Sequence, residues 1–225
     1  MEKLTGKNAI ILCSGGIDSV TTAFYVKKKL SYEKLKILFF NYGQRGIDQE
    51  RRCSKNCAKE LHAEFKEIVL PKIKIDAKVK KVKDLRNTKK ESDNFYIPFR
   101  NSLFIVHALS LAESLHIKDK KLYDIFVGFK CEGKETYPDT TKKYVKKIIE
   151  IIALHSFKGK LKTPLINKDK NEIVLLGDKL GVDFRNTYSC YSGEKDHCGT
   201  CLACRLRMEG FYWANKKDPT YYLQN

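Results

Sequence analysis

The chain has no apolar stretch near the ~20 consecutive residues that a membrane-spanning helix needs. Its first apolar run, residues 9–13, is too short for the core of a secretory signal peptide. These absences lead us to expect a soluble, cytoplasmic protein. Internal repeats and low-complexity tracts are missing as well, which excludes a repeat architecture. Acidic residues are scarce beside basic ones, 27 against 44, and leave a net charge of +17. Such a balance favours acidic partners, nucleic acid among them. The basic residues are mostly Lys, however, and are spread along the chain with one excess between Lys72 and Lys90. That is the pattern of a solvated surface, so direct nucleic-acid binding is not expected. The 225 residues, 42% of them hydrophobic, suffice for one compact core with a small appended lobe.

The most informative string is Ser14-Gly15-Gly16-Ile17-Asp18-Ser19. It follows Ala9-Ile10-Ile11-Leu12-Cys13, which reads as a buried parallel strand, and precedes a helical segment beginning Val20-Thr21-Thr22-Ala23. A strand, a turn of small residues and a helix place unpaired backbone N–H groups at the positive end of a helix dipole, where phosphate binds. Gly15 and Gly16 allow the turn, and Asp18 or Ser19 can cap the helix. The string resembles the pyrophosphatase loop of the ATP pyrophosphatases, which cleave ATP between the α- and β-phosphates. It lacks the Gly-Lys-Ser/Thr ending of a Walker A loop, which speaks against γ-phosphate transfer.

Further strands are expected at Leu35–Phe40, Phe65–Leu70 and Leu122–Gly128, with helices over residues 47–63, 97–115 and after Pro138. Asn101 or Ser102 stands where a cap for the second of these helices belongs, and Arg100 lies at its anion-attracting end. His107 reads as a packed helical histidine. Cys53 and Cys57, four apart on one helix face, read as buried structural thiols. The Lys-rich stretch 72–94 reads as an excursion with a short helix. A short strand near Lys162–Ile166 and a helix near 168–180 follow. The alternation predicts an α/β fold with a doubly wound, mainly parallel sheet. Its ligand crevice should lie outside the carboxyl strand ends, where residues 14–19, Tyr42–Arg45 and 129–139 converge. There Tyr42 could stack on a base, and Arg45 could pair with phosphate or carboxylate. We expect a nucleotide-binding domain over residues 1–160 and a C-terminal lobe over 161–225.

Cys190, Cys198, Cys201 and Cys204 crowd into fifteen residues as C-x7-C-x2-C-x2-C. In a cytosolic setting this spacing points to metal rather than to disulfides. Four thiolates match a closed tetrahedral zinc site, and an iron–sulfur cluster is the alternative. His197 could replace one cysteine. A closed site would staple the C-terminal lobe and take no part in catalysis.

Together these strings occur in one order with Tyr42-Gly43-Gln44-Arg45, Pro98-x-Arg100-Asn101, Tyr137-Pro138-Asp139, Thr163-Pro164-Leu165, Ser189-Cys190-Tyr191 and Cys198-Gly199-x-Cys201-x-x-Cys204-x-Leu206-Arg207. The series resembles the 7-cyano-7-deazaguanine synthases of queuosine and archaeosine precursor synthesis, over nearly the whole chain. The resemblance implies an adenine nucleotide alpha hydrolase-like fold with a zinc-stapled helical lobe. It also implies a carbon–nitrogen ligase using ATP, Mg2+ and structural Zn2+. The activity implied is conversion of a deazapurine carboxylate, 7-carboxy-7-deazaguanine, and ammonia to the nitrile through adenylated intermediates.

By that likeness Cys13, Ser14, Gly15, Gly16, Ile17, Asp18, Ser19, Val20, Thr21, Thr22 and Ala23 would bind ATP, with Tyr42, Gln44 and Arg45 bordering the nucleotide. Asp18 would sit near magnesium and pyrophosphate. Arg100 and Asn101 would serve catalysis and, with Tyr137 and Asp139, the substrate. The chain departs from the family at Gly46, where His is usual, and at Thr140-Thr141, where Cys-Arg is usual. It departs again over Cys131-Glu132-Gly133-Lys134-Glu135-Thr136, where an Asp-x-Ser-Gly element is usual. These changes lie at the substrate end and leave open a relative that stops at the amide or uses another amine. A tRNA-modifying ATP pyrophosphatase and a non-enzymatic zinc module remain the other readings. A homodimer is compatible with the sequence.

Overall fold

The computed structural model describes residues 7–73, 78–81, 85, 89–130, 137–155 and 157–223. The departure over 131–136, with Cys131, and parts of the Lys-rich stretch therefore lie outside the described residues.

Among the described residues five parallel strands form one sheet in the order β3-β2-β1-β4-β5: β1 Asn8–Leu12, β2 Lys34–Asn41, β3 Glu64–Val69, β4 Tyr123–Val127 and β5 Leu161–Lys162. Every residue of β1 is buried, as expected for a central strand covered on both faces. Its side chains alternate between two cores. Ala9 and Ile11 join a cluster with Ile37, Phe126 and Phe24, whereas Ile10 and Leu12 join one with Leu38, Phe40, Ile125 and Ile105.

Helices α1 (Ile17–Phe24), α2 (Ile47–Glu60), α6 (Lys170–Lys179) and α7 (Leu202–Trp213) contribute to the first core. Helix α4 (Arg100–Asp119) and α5 (Lys142–Ile152) cover the second, and α3 (Lys89–Asn94) is the short helix of the Lys-rich excursion. A single π-helical turn, Tyr25–Lys29, continues α1. Leu165, Ile173, Val174 and Phe211 share the first core with β1 and α1, so side chains on both sides of residue 160 pack together. His107 sits edge-on to Phe40 at 5.7 Å between ring centroids. No helix among the described residues is long and apolar enough to cross a membrane.

Two expected caps differ from the structure. The N-cap of α1 is Gly16, with no side-chain cap; Asp18 and Ser19 lie inside the first turn with other partners. The N-cap of α4 is Phe99, in the left-handed region at φ 58°. The Asn101 backbone N–H donates to Asp139 Oδ2 at 3.3 Å, and Ser102 instead pairs with the Tyr144 hydroxyl at 2.7 Å. Pro138 heads a separate 3-10 turn, Pro138–Thr140, and α5 is capped by the Thr141 hydroxyl, which accepts from Tyr144 N–H.

Candidate active site

Strand order reverses between β1 and β4, which opens a crevice at their carboxyl ends. A cavity of about 830 Å³ occupies it. Its floor is the loop after β1. The Ser19 hydroxyl ties that loop together, accepting from Ser14 N–H at 3.2 Å and donating to the Gly16 carbonyl at 3.1 Å. Gly15 adopts φ +80°, and a Cβ there would stand 2.6 Å from the Glu50 carbonyl oxygen and 2.8 Å from Cys53 Cβ. Only glycine meets both conditions. The N–H groups of Ile17, Asp18 and Ser19 begin a helix and have no carbonyl one turn back, so they are donors available to an anion.

Cys13, Ser14, Gly16, Ile17, Asp18 and Ser19 line the cavity together with Tyr42, Gln44, Arg45, Arg100, Asn101 and Tyr137. Val20 and Ala23 point into the core instead. Thr22 bonds back to the Asp18 carbonyl at 2.8 Å, and Thr21 is fully buried. Asp139 stands behind the lining as the partner of Asn101. Gln44 is a structural tie. It donates to the Phe40 carbonyl and Glu50 and accepts from Tyr42 N–H, at 2.9 to 3.0 Å. Tyr42 is buried under Arg100, whose guanidinium lies 5.8 Å from its ring centroid. Beneath the loop, a hydrogen bond from Cys57, aided by the Gly15 backbone, brings the Cys13 thiol down to about 7 against the effect of burial.

Several lining residues carry no signal in the sequence as site residues. Lys170, at the start of α6, sets its ammonium 2.5 and 2.7 Å from the two oxygens of Asp18. Burial holds the Lys170 pKa below its ordinary value, although Asp18 works in the opposite direction. Lys130 is another cation of the lining. Phe95 and Tyr191 stack at 4.4 Å, and Tyr137, expected from the sequence, stacks at 5.4 Å on Tyr96 behind the lining, giving the cavity an aromatic end. Arg100 lies at that end, and among the described residues its bonds are long, 3.4 Å to the Tyr42 hydroxyl and 3.4 Å to Asn101 Oδ1. Its Nε is buried without a partner.

The cysteine cluster forms one wall, through Ser189, Cys190, Tyr191 and Leu202. The four sulfurs of Cys190, Cys198, Cys201 and Cys204 lie within 4.8 Å of one another, with Cys190–Cys201 at 3.9 Å and Cys198–Cys204 at 4.0 Å. Tetrahedral geometry with Zn–S of about 2.3 Å implies sulfurs about 3.8 Å apart. The four thiols could therefore hold one ion. Hydrogen bonds from Cys201 and Cys204 drive the Cys190 thiol far down, while the Cys201 thiol is pushed up to about 12. His197 is not part of the set. Its Nε2 accepts from Ser189 N–H at 3.1 Å, and burial holds its pKa down at about 4.

A model of the family described as queuosine biosynthesis protein QueC matches residues 8–215. The chain is 34% identical to the 7-cyano-7-deazaguanine synthase of Rickettsia bellii (strain OSU 85-389) over 230 residues, covering 96% of this chain and 99% of that one. It is 36% identical to the 7-cyano-7-deazaguanine synthase of a Nitratiruptor species, covering 95% and 98%. A solved 4-thiouridine synthetase–RNA complex with bound ATP superposes at a TM-score of 0.49 and 14% identity, over 93% of this chain and 50% of that one. The match takes in the phosphate loop, the arginine at the aromatic end and the four cysteines, and the chain belongs to the QueC family.

Proposed function

We propose that this chain is an ATP-dependent ligase that converts 7-carboxy-7-deazaguanine and ammonia to 7-cyano-7-deazaguanine. The observation that carries the reading is Arg100. Its guanidinium lines the same cavity as the phosphate loop, has a buried Nε without a partner, and forms no ion pair within 4.0 Å among the described residues. A half-buried guanidinium with a free Nε donor and only long hydrogen bonds can take a carboxylate, and the substrate supplies one. The aromatic rings beside it suit a flat base.

The chemistry follows from this division of the cavity. A carboxylate oxygen held by Arg100 attacks the α-phosphorus of ATP, and pyrophosphate leaves with the electrons of the broken P–O bond. The N–H groups at the start of α1 and the Lys170 ammonium meet the charge that develops on it. Ammonia attacks the resulting acyl-adenylate and releases AMP. Adenylation of the amide oxygen by a second ATP then lets AMP depart again as the nitrile forms.

Asp18 is the carboxylate that would take a magnesium ion arriving with the phosphates, in the usual mode of one or two carboxylates plus phosphate oxygens. Bound there, magnesium neutralises phosphate charge. The four cysteines would hold zinc as a closed structural site, a reading supported by their sulfur spacing. Metal analysis should find one zinc per chain, and its extraction with a chelator should lower the melting temperature. Protein without zinc or iron would remove this assignment.

Mass spectrometry of products from ATP, ammonium and 7-carboxy-7-deazaguanine tests the reaction. AMP, pyrophosphate and nitrile are expected, all dependent on the nucleobase. ADP as product, or turnover indifferent to the nucleobase, would sink the reading. Accumulation of amide without nitrile would identify a relative that stops halfway.

A further inference from the structure

Formation of an amide from ammonium requires a proton acceptor, because ammonium has no lone pair with which to attack. No histidine lines the cavity among the described residues, and Asp18 is engaged by Lys170. Among the described residues the remaining lining carboxyl is Glu50, in α2. One oxygen, Oε2, accepts from Gln44 Nε2 at 2.9 Å. Gln44 is fixed by its own bonds to Phe40 and Tyr42, so it holds Glu50 in place. The other oxygen lies 3.3 Å from the point where a Cβ at residue 46 would stand, a point also 3.0 Å from the Tyr188 ring. A Cβ at this point would crowd both groups; because residue 46 is Gly, no side chain stands between Oε1 and the Tyr188 ring.

Glu50 has no ion pair within 4.0 Å among the described residues, and Arg100 acts on it only at longer range. Burial pushes its pKa up, opposed by the Gln44 bond and the Arg100 charge. It is therefore a stronger base than a solvated carboxylate.

Building on the proposed reaction, we infer that Glu50 is the catalytic base for nitrogen in this pocket. In amide formation Glu50 first takes one proton from ammonium and passes it to solvent; the ammonia nitrogen then bonds to the acyl carbon, the C–O bond to AMP breaks with its electron pair leaving on AMP, and the nitrogen's excess proton passes to the Glu50 carboxylate. Glu50 returns that proton to solvent. In nitrile formation adenylation of the amide oxygen leaves a protonated imidate; Glu50 takes one of its two N–H protons and passes it to solvent, then takes the remaining one as the second C–O bond breaks toward AMP and the third C–N bond forms.

The test separates half-reactions. Exchange of labelled pyrophosphate into ATP, dependent on 7-carboxy-7-deazaguanine, is measured first on the unmodified protein; its absence would count against the proposed function and not against Glu50 as such. Glu50→Gln should keep this exchange within about threefold, while amide formation from ammonium falls about 10²–10⁴-fold. Hydroxylamine, uncharged near neutral pH, needs no base to attack and should still capture the acyl-adenylate as a hydroxamate in the variant. Glu50→Asp, which keeps the charge, should recover part of the ammonium reaction. Unchanged amide formation in Glu50→Gln would overturn the inference. So would joint loss of exchange and hydroxamate, or a Glu50→Asp variant no faster than Glu50→Gln.

Discussion

Lys170 meets Asp18 across 152 residues of sequence, and the two side chains keep only 20% and 26% of their exposure. The geometry gives this lysine two tasks. It prevents Asp18 from facing the cavity as a bare carboxylate, and it adds positive charge at the loop where pyrophosphate would depart. Lys170→Met keeps the stem and removes the charge. We expect it to lower nucleobase-dependent pyrophosphate exchange by about 10²-fold, the scale for losing one preorganised donor. Folding should cost no more than about 1–3 kcal/mol, because the pair is partly solvated. Exchange at the unmodified rate would remove Lys170 from the machinery.

The loop Ser14–Ser19 could be read in the sequence because its chemistry is local: small residues between a strand and a helix. Lys170 and Glu50 could not. One is a lysine in a lysine-rich chain, the other a glutamate in a highly charged helix, and their meaning arises from partners that the fold brings to them. Only the Asp169 and Glu172 capping box marks, in sequence, that a helix begins beside Lys170.

At the scale of elements, each missed cap has its own cause. A side-chain cap on α1 would occupy N–H groups that the phosphate loop has to offer, so Gly16 stands there bare. The cap on α4 comes from Asp139, 38 residues later in the chain, which no local pattern records. Strands and helix periods, by contrast, were legible because burial on two faces imposes them residue by residue.

Packing between elements sets a further test. Gly177 lies within α6, where Ala would be favoured by about 1 kcal/mol on propensity alone. A Cβ there would nonetheless meet Phe184 Cζ at 2.6 Å and Thr21 Oγ1 at 2.9 Å. Overpacking of this kind costs about 1–3 kcal/mol and should win. Gly177→Ala is thus expected to lower stability by up to about 2 kcal/mol, and a stabilised variant in denaturant titration would show that α6 can shift away from α1.

For the whole molecule, the connection between the C-terminal segment and the phosphate loop runs through Arg207. Its side chain is 1% exposed and forms a double bridge to Asp218, with Nε to Oδ2 at 3.0 Å and Nη2 to Oδ1 at 3.1 Å. Its remaining donors reach Thr187 Oγ1 at 2.7 Å and the Phe184 carbonyl at 3.1 Å. The adjacent Tyr188 N–H donates to the Gly15 carbonyl at 2.9 Å. Asp218→Asn would strand this guanidinium in the interior, at a cost of about 3–5 kcal/mol.

At about 2–4 °C per kcal/mol for a chain of this size, the melting temperature should fall by roughly 6–20 °C near neutral pH. The sign of the acid dependence also follows. Burial works to raise the Asp218 pKa, but bonds from Arg207, Tyr222 and the Thr220 N–H leave it below its ordinary 3.8. Its folded value thus lies below its unfolded value, so its contribution is complete above about pH 4 and is lost as pH falls through the folded value. The gap in stability between the unmodified protein and Asp218→Asn should therefore narrow once the pH drops below about 4. Denaturant titrations at neutral pH and near pH 3 decide the matter: an equal gap at both would mean that the Asp218 charge does not hold the segment in place.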